Sequence, residues 1–87
     1  MMKLQQLIAN KLIDANTEIV WKHHGQNETA TILADGTIKT SDGKIHKTPS
    51  GAARSLNSNK PIDGWLAWKI QGTKTSLSEI RAKASTN

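Results

Sequence analysis

The feature that most constrains the fold is the turn signal Asp35-Gly36, which lies between two stretches with strand character. Asp-Gly is a strong signal for a two-residue β-hairpin turn. Residues 28–34 before it alternate in polarity, and residues 37–40 after it are expected to return as the partner strand. A second turn at 41–43 leads into a short strand over residues 44–46. We therefore expect three adjacent antiparallel strands in a meander.

The alternation also predicts which side chains face the core. Ala30, Ile32 and Ala34 fall on one face of their strand, and Ile38 is expected to point inward from the partner strand.

The N-terminal third predicts a helix followed by a strand. Apolar residues fall at i, i+3, i+4 and i+8, which indicates a helix from about Lys3 to Asp14. These residues are Leu4, Leu7, Ile8 and Leu12. Residues 18–21 then favour a short strand because of their β-branched and aromatic side chains. Residues 23–27 are expected to form a loop.

The middle of the chain contains a clear helix start. Thr48 can cap the helix, and Pro49 suits its first turn because the missing N–H would have no partner there. This helix is expected to end near Asn57. A turn at Asp63-Gly64 should then lead into a strand over residues 65–70.

The C-terminal segment has the spacing of a capping box. Ser76 and Glu79 are three residues apart, which predicts a last short helix from Leu77 to Lys83. Residues 82–87 are polar and are expected to be a frayed end. We expect residues 1–74 to form a single small α+β domain and residues 75–87 to add the helix and the tail. The predicted sheet has four or five antiparallel strands, covered by the N-terminal helix and the Pro49 helix.

Composition limits the class of protein. The chain has 87 residues, a formal net charge of +5 and no cysteine, which excludes a disulfide framework and a thiolate zinc site. No apolar run is long enough for a signal peptide or a membrane span, so we expect a cytoplasmic protein with no membrane association. The positive charge is compatible with nucleic acid or another polyanion.

Basic residues concentrate around the Pro49 helix. Residues 39–60 contain five Lys or Arg side chains and one acidic residue, Asp42. A helix N-terminus with flanking cations favours phosphate, whereas the alternative is a capped helix with a solvated basic face. The expected phosphate contacts are Lys44, Lys47, Thr48, Ser50, Arg54 and Lys60.

The aromatic residues offer candidates for base contacts. Trp65 and Trp68 are three apart and would face opposite sides of a strand, so one should pack in the core while the other is partly exposed. An exposed indole could stack on a base. We take Trp65 and His23 as the candidate base contacts. The alternative for every tryptophan, Trp21 included, is core packing, since the chain has neither Phe nor Tyr.

The sequence gives little support for catalysis or cofactor binding. The acidic residues are scattered, and Asp35, Asp42 and Asp63 each precede Gly, as turn residues do. A nuclease would need clustered carboxylates for Mg²⁺. The Ser50–His46 pair lacks an orienting third group. His23 and His24 are expected to contact solvent or phosphate. We expect no enzyme activity, no catalytic residues, no metal and no cofactor.

The ordered motifs resemble the RAMA domain, a module associated with restriction systems and adenine methylases. The matching segments are Ala30-Thr31-Ile32-Leu33-Ala34-Asp35-Gly36, Asp42-Gly43-Lys44-Ile45-His46, Thr48-Pro49-Ser50-Gly51-Ala52-Ala53, Asp63-Gly64-Trp65-Leu66-Ala67-Trp68 and Leu77-Ser78-Glu79-Ile80-Arg81. A related family of uncharacterised small domains shares the Ser-x-Ala-Ala and Gly-Trp-x-x-Trp pieces. Thr48 stands where the RAMA family more often has Ser, and it keeps the capping hydroxyl.

The resemblance implies a small α+β module that engages double-stranded DNA, with methylated DNA as the finer expectation and a methylase, nuclease or other effector as partner. The expected function is therefore non-catalytic DNA binding in a restriction-modification context. The alternative is a protein-interaction module that docks an effector or itself. An exposed strand edge at residues 44–46 or 18–21 would suit such pairing.

Overall fold

A computed structural model describes residues 3–23 and 25–85. In chain order, the elements are α1 (Leu4–Ala9), β1 (Glu18–His23), β2 (Gln26–Ile32), β3 (Ile38–Thr40), β4 (Ile45–His46), α2 (Pro49–Leu56), α3 (Gly64–Ala67), β5 (Lys69–Ile70) and α4 (Leu77–Ser85). The five strands form one antiparallel sheet in the order β4-β3-β2-β1-β5. The predicted α+β class and the meander are confirmed.

The sheet buries one face against the helices. Ile19 pairs with Ala30, and Ile32 pairs with Ile38, so their side chains share the inward face, and all four are buried. The helices contribute Leu4, Leu7, Ala52, Ala53 and Leu77 to the same core. Ile38 points inward as predicted, but Ala34 is exposed because β2 ends at Ile32 and the chain has already entered the hairpin turn.

The N-terminal helix is shorter than predicted. It ends at Ala9 in a Schellman motif, in which Leu12 N–H donates to the Leu7 carbonyl and Lys11 N–H to that of Ile8. Lys11 takes the left-handed conformation that this motif needs, with φ of 61°. Leu12 is consequently turned out to solvent, and Ile13 is buried although it lies outside the predicted stripe.

The expected loop over residues 23–27 is wrong. β1 continues to His23 and β2 begins at Gln26, and these two residues pair across a two-residue connection. Gly25 supplies the left-handed backbone of this turn, with φ of 75°. His24, expected to contact solvent or phosphate, lies outside the described residues, as do Thr86 and Asn87 of the predicted frayed end. The prediction of a frayed end is wrong for residues 82–85, because α4 continues to Ser85.

The predicted strand over residues 65–70 is also corrected. Asp63 accepts a hydrogen bond from Trp65 N–H (3.0 Å) and caps the single helical turn α3, so the strand begins only at Lys69. Trp68 is fully buried and Trp65 is half-buried. The expected difference in exposure is therefore present, but it arises from a helical turn and not from strand alternation.

The remaining predicted elements match the structure closely. Thr48 Oγ1 accepts from Gly51 N–H (3.0 Å) and caps α2, which ends at Leu56. Ser76 Oγ accepts from Glu79 N–H (3.2 Å) at the start of α4. The predicted free edge at residues 18–21 is wrong, because this part of β1 is paired with β2 on one side and with β5, at Ile19 and Val20, on the other. β1 itself continues beyond this pairing to His23. The other predicted edge, β4, does lie at an edge of the sheet.

Candidate functional site

A cleft of about 480 Å³ lies where α1, the β2–β3 turn, α2, α3 and α4 converge. We call it the Trp65 cleft. Its apolar walls come from Leu4, Pro49 and Trp65, and its charged rim comes from Lys3, Lys47, Arg81 and Asp35. Three cations face one carboxylate, and the volume falls within the roughly 300–1,000 Å³ typical of small-ligand sites.

Close backbone packing fixes the cleft on the side of α2. Ser50 Oγ accepts from Gly64 N–H (3.0 Å), and Trp68 Nε1 donates to the Pro49 carbonyl (3.1 Å). Gly64 lies so near the Pro49 carbonyl that a Cβ there would overlap with it. This bond gives the buried indole N–H of Trp68 a hydrogen-bond partner, and without it the group would be buried and unsatisfied. As a result α3 is held rigidly across the start of α2, and Trp65 is aimed into the cleft.

Gly36 closes the opposite wall. Its φ of 86° is a left-handed conformation, and a Cβ there would lie 2.8 Å from the backbone of Gln5. The β2–β3 turn therefore rests directly on α1. Only glycine satisfies both the conformation and the close approach.

Trp65 carries a cation on its ring. The Arg81 guanidinium carbon lies 3.9 Å from the indole centroid, which is the geometry of a cation–π interaction. Both side chains line the cleft. The pair presents stacked planar groups, one of them positively charged, to anything that enters.

Asp35 is the carboxylate of this cleft, and its turn keeps it ionised. Thr37 donates to Asp35 Oδ1 through its hydroxyl and through its backbone N–H. These two hydrogen bonds lower the pKa of Asp35 below its ordinary value of 3.8. Asp42 repeats the arrangement at the next turn, where bonds from the Thr40 hydroxyl and the Lys44 N–H lower its pKa.

The structure brings together part of the predicted site. Lys47, Thr48 and Trp65 all line the Trp65 cleft. Ser50 is turned toward Gly64, and Lys44 lies on the β3–β4 turn.

Two further predicted contacts lie at the opposite end of α2. Arg54 Nε donates to the Asn59 carbonyl (3.1 Å), and Lys60 follows in the same loop. At 1.5 Å per residue, Arg54 is about 8 Å along the axis from Pro49. The predicted phosphate contacts thus divide between the two ends of one helix.

The two predicted base contacts do not share a site. Trp65 lies in the cleft, whereas His23 is stacked on Trp21 with ring centroids 4.2 Å apart. Trp21 also meets Trp68 edge-on at 6.0 Å, so His23 joins an aromatic cluster at the end of β1.

Sequence reasoning missed Lys3 and Arg81 as residues of the site. Arg81 lies in the predicted last helix, and Lys3 at the start of the first, but nothing local indicates that either end meets Trp65. The local signal for this arrangement was the Asp63-Gly64 pair. Such a pair is found at the cap of a helical turn as well as in a turn that precedes a strand. A helical turn at Trp65 would have directed it toward neighbouring helices.

His46 is engaged by two hydroxyls, neither of them from Ser50. Its Nε2 lies 3.4 Å from both Thr40 Oγ1 and Ser55 Oγ. Ser55 donates its hydrogen to the Ala52 carbonyl, and Thr40 donates to Asp42. Both hydroxyls therefore turn lone pairs toward His46 Nε2, which must carry the hydrogen. The arrangement fastens β4 to α2.

Within the described ranges, 3–23 and 25–85, no three His, Cys, Asp or Glu side chains are grouped to hold a metal ion. Nor does any helix in this part of the chain combine the length and apolar character needed to cross a bilayer.

Comparison with known proteins identifies the family. No curated protein matches the chain at a significant level. The family model described as Restriction Enzyme Adenine Methylase Associated, RAMA, matches residues 1–86. This match covers essentially the whole sequence and includes every element that forms the Trp65 cleft. The chain belongs to the RAMA family.

Proposed function

We propose that this protein is a non-catalytic DNA-binding module that works in a restriction-modification context. The observation that carries the proposal is the Trp65 cleft, where a half-buried indole, three cations and the start of α2 converge. The family description, which names restriction enzymes and adenine methylases, supplies the context. Restriction enzymes and adenine methylases both act on DNA, which is a polyanion.

Phosphate contacts would come from the rim of the cleft and from the basic side of α2. Lys3, Lys47 and Arg81 surround the opening. Thr48 and Ser50 lie at the start of α2, Lys44 lies on the β3–β4 turn, and Arg54 and Lys60 carry positive charge toward the end of α2. Such contacts fix the position of a protein on the duplex without reading sequence.

A base would be held by stacking. Trp65 and Arg81 offer planar surfaces inside the cleft, and base–aromatic stacking is worth about 1–3 kcal/mol. The specific occupant that we propose for the Trp65 cleft is a base extruded from the duplex, in particular a methylated adenine. His23 lies on the Trp21 cluster and would contribute only if the DNA also reached the end of β1.

The non-catalytic character is supported by how the polar side chains are used. Asp35, Asp42 and Asp63 each accept backbone N–H bonds in their own turns or caps. The two hydroxyls beside His46, those of Ser55 and Thr40, already donate to the Ala52 carbonyl and to Asp42, so neither directs its proton to the imidazole.

The partners would follow from the context. We propose that the module delivers a methylase, nuclease or other effector to DNA in the cytoplasm. The alternative function, a protein-interaction module, is favoured by one observation. β4 is an edge strand of two residues, and its Ile45 is 61 % exposed.

The test measures binding of a labelled duplex at several salt concentrations. We expect K47Q/R54Q/K60Q to weaken binding and to lower the slope of log K against log salt by about 0.9 for each phosphate that the variant no longer neutralises. Trp65→Ala should weaken binding of duplexes with N6-methyladenine more than of unmodified duplexes. Circular dichroism melts confirm that each variant is folded.

The control is K11Q/K39Q, which removes charges that lie neither in the cleft nor on α2 and the loop after it. If the control weakens binding as much per charge as the triple variant, the basic surface formed by the cleft and α2 has no special role. If the wild-type protein binds no duplex even at low salt, DNA binding is wrong, and the protein-interaction alternative takes its place.

A further inference from the structure

A second groove of about 380 Å³ lies on the other side of α3. Trp65 faces the first cleft, whereas the next two residues of the same helical turn, Leu66 and Ala67, line this one. Trp21 and three lysines, Lys22, Lys69 and Lys74, line it as well. We call it the β1-edge groove. Neither the DNA-binding proposal nor the family description assigns it a role.

The groove contains an open strand edge. β5 pairs with β1 only at Ile19 and Val20, whereas β1 continues to His23. The Glu18 carbonyl accepts from Gln71 N–H, so the main-chain groups of Glu18, and of every second residue after it, point away from β2. The backbone N–H and carbonyl of Lys22 therefore point to the same side of β1 as β5, but beyond the point where β5 ends.

The groove also exposes apolar surface. Leu66 is 59 % exposed, which makes it one of the large hydrophobic side chains most open to solvent in the described ranges. Trp21 and Ala67 lie beside it in the wall. Covering this side chain would remove apolar surface from water, which favours binding.

The charge around the groove has one sign. Lys22, Lys69 and Lys74 are exposed, and no carboxylate is among the groove's lining residues in the part of the chain that the structure describes. The Trp65 cleft differs in this respect, since Asp35 belongs to its rim. An occupant of the groove should therefore be acidic.

We propose that the β1-edge groove docks a short, extended acidic segment of a partner protein. The segment adds a strand beside Lys22, whose backbone N–H and carbonyl supply the main-chain hydrogen bonds. An apolar side chain of the segment covers Leu66, and its carboxylates meet the three lysines. Alternation of acidic and apolar residues is the pattern that fits, because successive side chains of a strand point to opposite faces.

The apolar surface and the open edge favour a peptide over nucleic acid. A DNA backbone would use the lysines but would leave Leu66 exposed and the Lys22 main chain without a strand partner. An acidic peptide satisfies all three features at once.

The test uses a fluorescein-labelled octapeptide of alternating glutamate and valine with the 87-residue protein. We expect the wild type to bind it, and K22Q/K69Q/K74Q to lose about tenfold or more in affinity. The matched control K11Q/K39Q/K60Q removes the same charge outside the groove and should bind within about twofold of the wild type. Hydrogen exchange of the Lys22 amide should slow when the peptide is bound.

The following controls and outcomes test the proposal. A peptide with lysine in place of glutamate should not bind. Equal losses in the two triple variants would overturn the docking site, as would an unchanged Lys22 amide. Protection of that amide by a DNA duplex and not by the peptide would assign the groove to DNA. A concentration-dependent dimer that protects the same amide would assign it to a second copy of this chain.

Discussion

The Trp65 cleft and the β1-edge groove lie on opposite sides of the same helical turn, yet they are built in different ways. The cleft is enclosed by backbone packed on backbone, with Gly64 against Pro49 and Gly36 against Gln5. The groove is bounded by lysine side chains, an exposed leucine and an incompletely paired strand. The walls of the cleft are fixed by backbone contacts, whereas the groove is lined mainly by side chains along a strand that is only partly paired.

This difference indicates what each site can recognise. A cavity with fixed walls selects its occupant by shape, because interiors at native packing density cannot expand without cost. An open edge selects by main-chain hydrogen bonding and charge, and it tolerates variation in the partner's side chains. The following substitutions test whether the two sites really differ in rigidity.

Gly64→Ala should have the largest effect. The new Cβ would overlap with the Pro49 carbonyl, so α3 must move away from α2 and strain the Trp68 indole bond. We expect a loss of about 3 kcal/mol or more in the free energy of unfolding. Chemical denaturation followed by tryptophan fluorescence measures it.

Gly72→Ala, beside the β1-edge groove, is the control for this substitution. Gly72 has φ of 81°, but a Cβ there meets nothing within 4 Å. Its cost should be only the conformational strain of about 1–2 kcal/mol. Equal losses for the two variants would show that the cleft is no more tightly built than the groove.

Gly36→Ala should come next, and it probes the other wall. Gly43 provides a close match, since both glycines have φ of 86° and follow an aspartate. Only at Gly36 does the added Cβ meet the backbone of Gln5, at 2.8 Å. Gly36→Ala should therefore lower the free energy of unfolding by about 1–2 kcal/mol more than Gly43→Ala does, as measured by thermal or chemical unfolding.

If the two losses are equal, the contact with α1 yields easily and the wall is not rigid. A selective loss for Gly36→Ala, together with changed NMR shifts at Lys47 and Trp65, would show that the turn and the cleft are one unit.

Local patterns were enough to predict the meander and the capped helix. Asp35-Gly36 and Asp42-Gly43 are turns whose signals lie within two residues, and Thr48-Pro49 is a cap read from adjacent positions. α1 was predicted too long because the apolar spacing continued to Leu12, whereas the Schellman motif at Lys11 had already ended it.

The site was harder to predict because it depends on contacts distant in sequence. Lys47 and Trp65 were identified from charge and aromatic character. Arg81 joins them only because α3 is a helical turn that packs on α4. The Asp63-Gly64 pair is compatible both with a turn before a strand and with the cap of a helix. In the folded protein it caps a helical turn, which is held in place by the hydrogen bond from Gly64 N–H to the distant Ser50. No local pattern contains that bond.

The smallest expected effect concerns the carboxylate that the cleft has and the groove lacks. Hydrogen bonds from Thr37 lower the folded-state pKa of Asp35 below 3.8, so the ionised form is stabilised by folding. This contribution to the free energy of unfolding is fully present when the pH is above 3.8, the ordinary pKa of an aspartate, and it is lost as the pH falls through the lower pKa of Asp35 in the folded protein. On acidification below about pH 4, the Thr37 amide should shift with a midpoint below 3.8, while the Lys22 and Leu66 amides of the groove follow no such midpoint.

Asp35→Asn isolates this carboxylate, because its amide oxygen can still accept from Thr37 but does not titrate in this range. Asp42→Asn is the matched control on the next turn, where bonds from Thr40 and Lys44 lower the pKa in the same way. Each variant should abolish the acid shift at its own turn and leave the other unchanged. Since the cleft loses a negative charge only in Asp35→Asn, that variant should tighten binding of duplex DNA near neutral pH more than Asp42→Asn does. Equal tightening in both variants would mean that the duplex senses overall charge and not the Trp65 cleft.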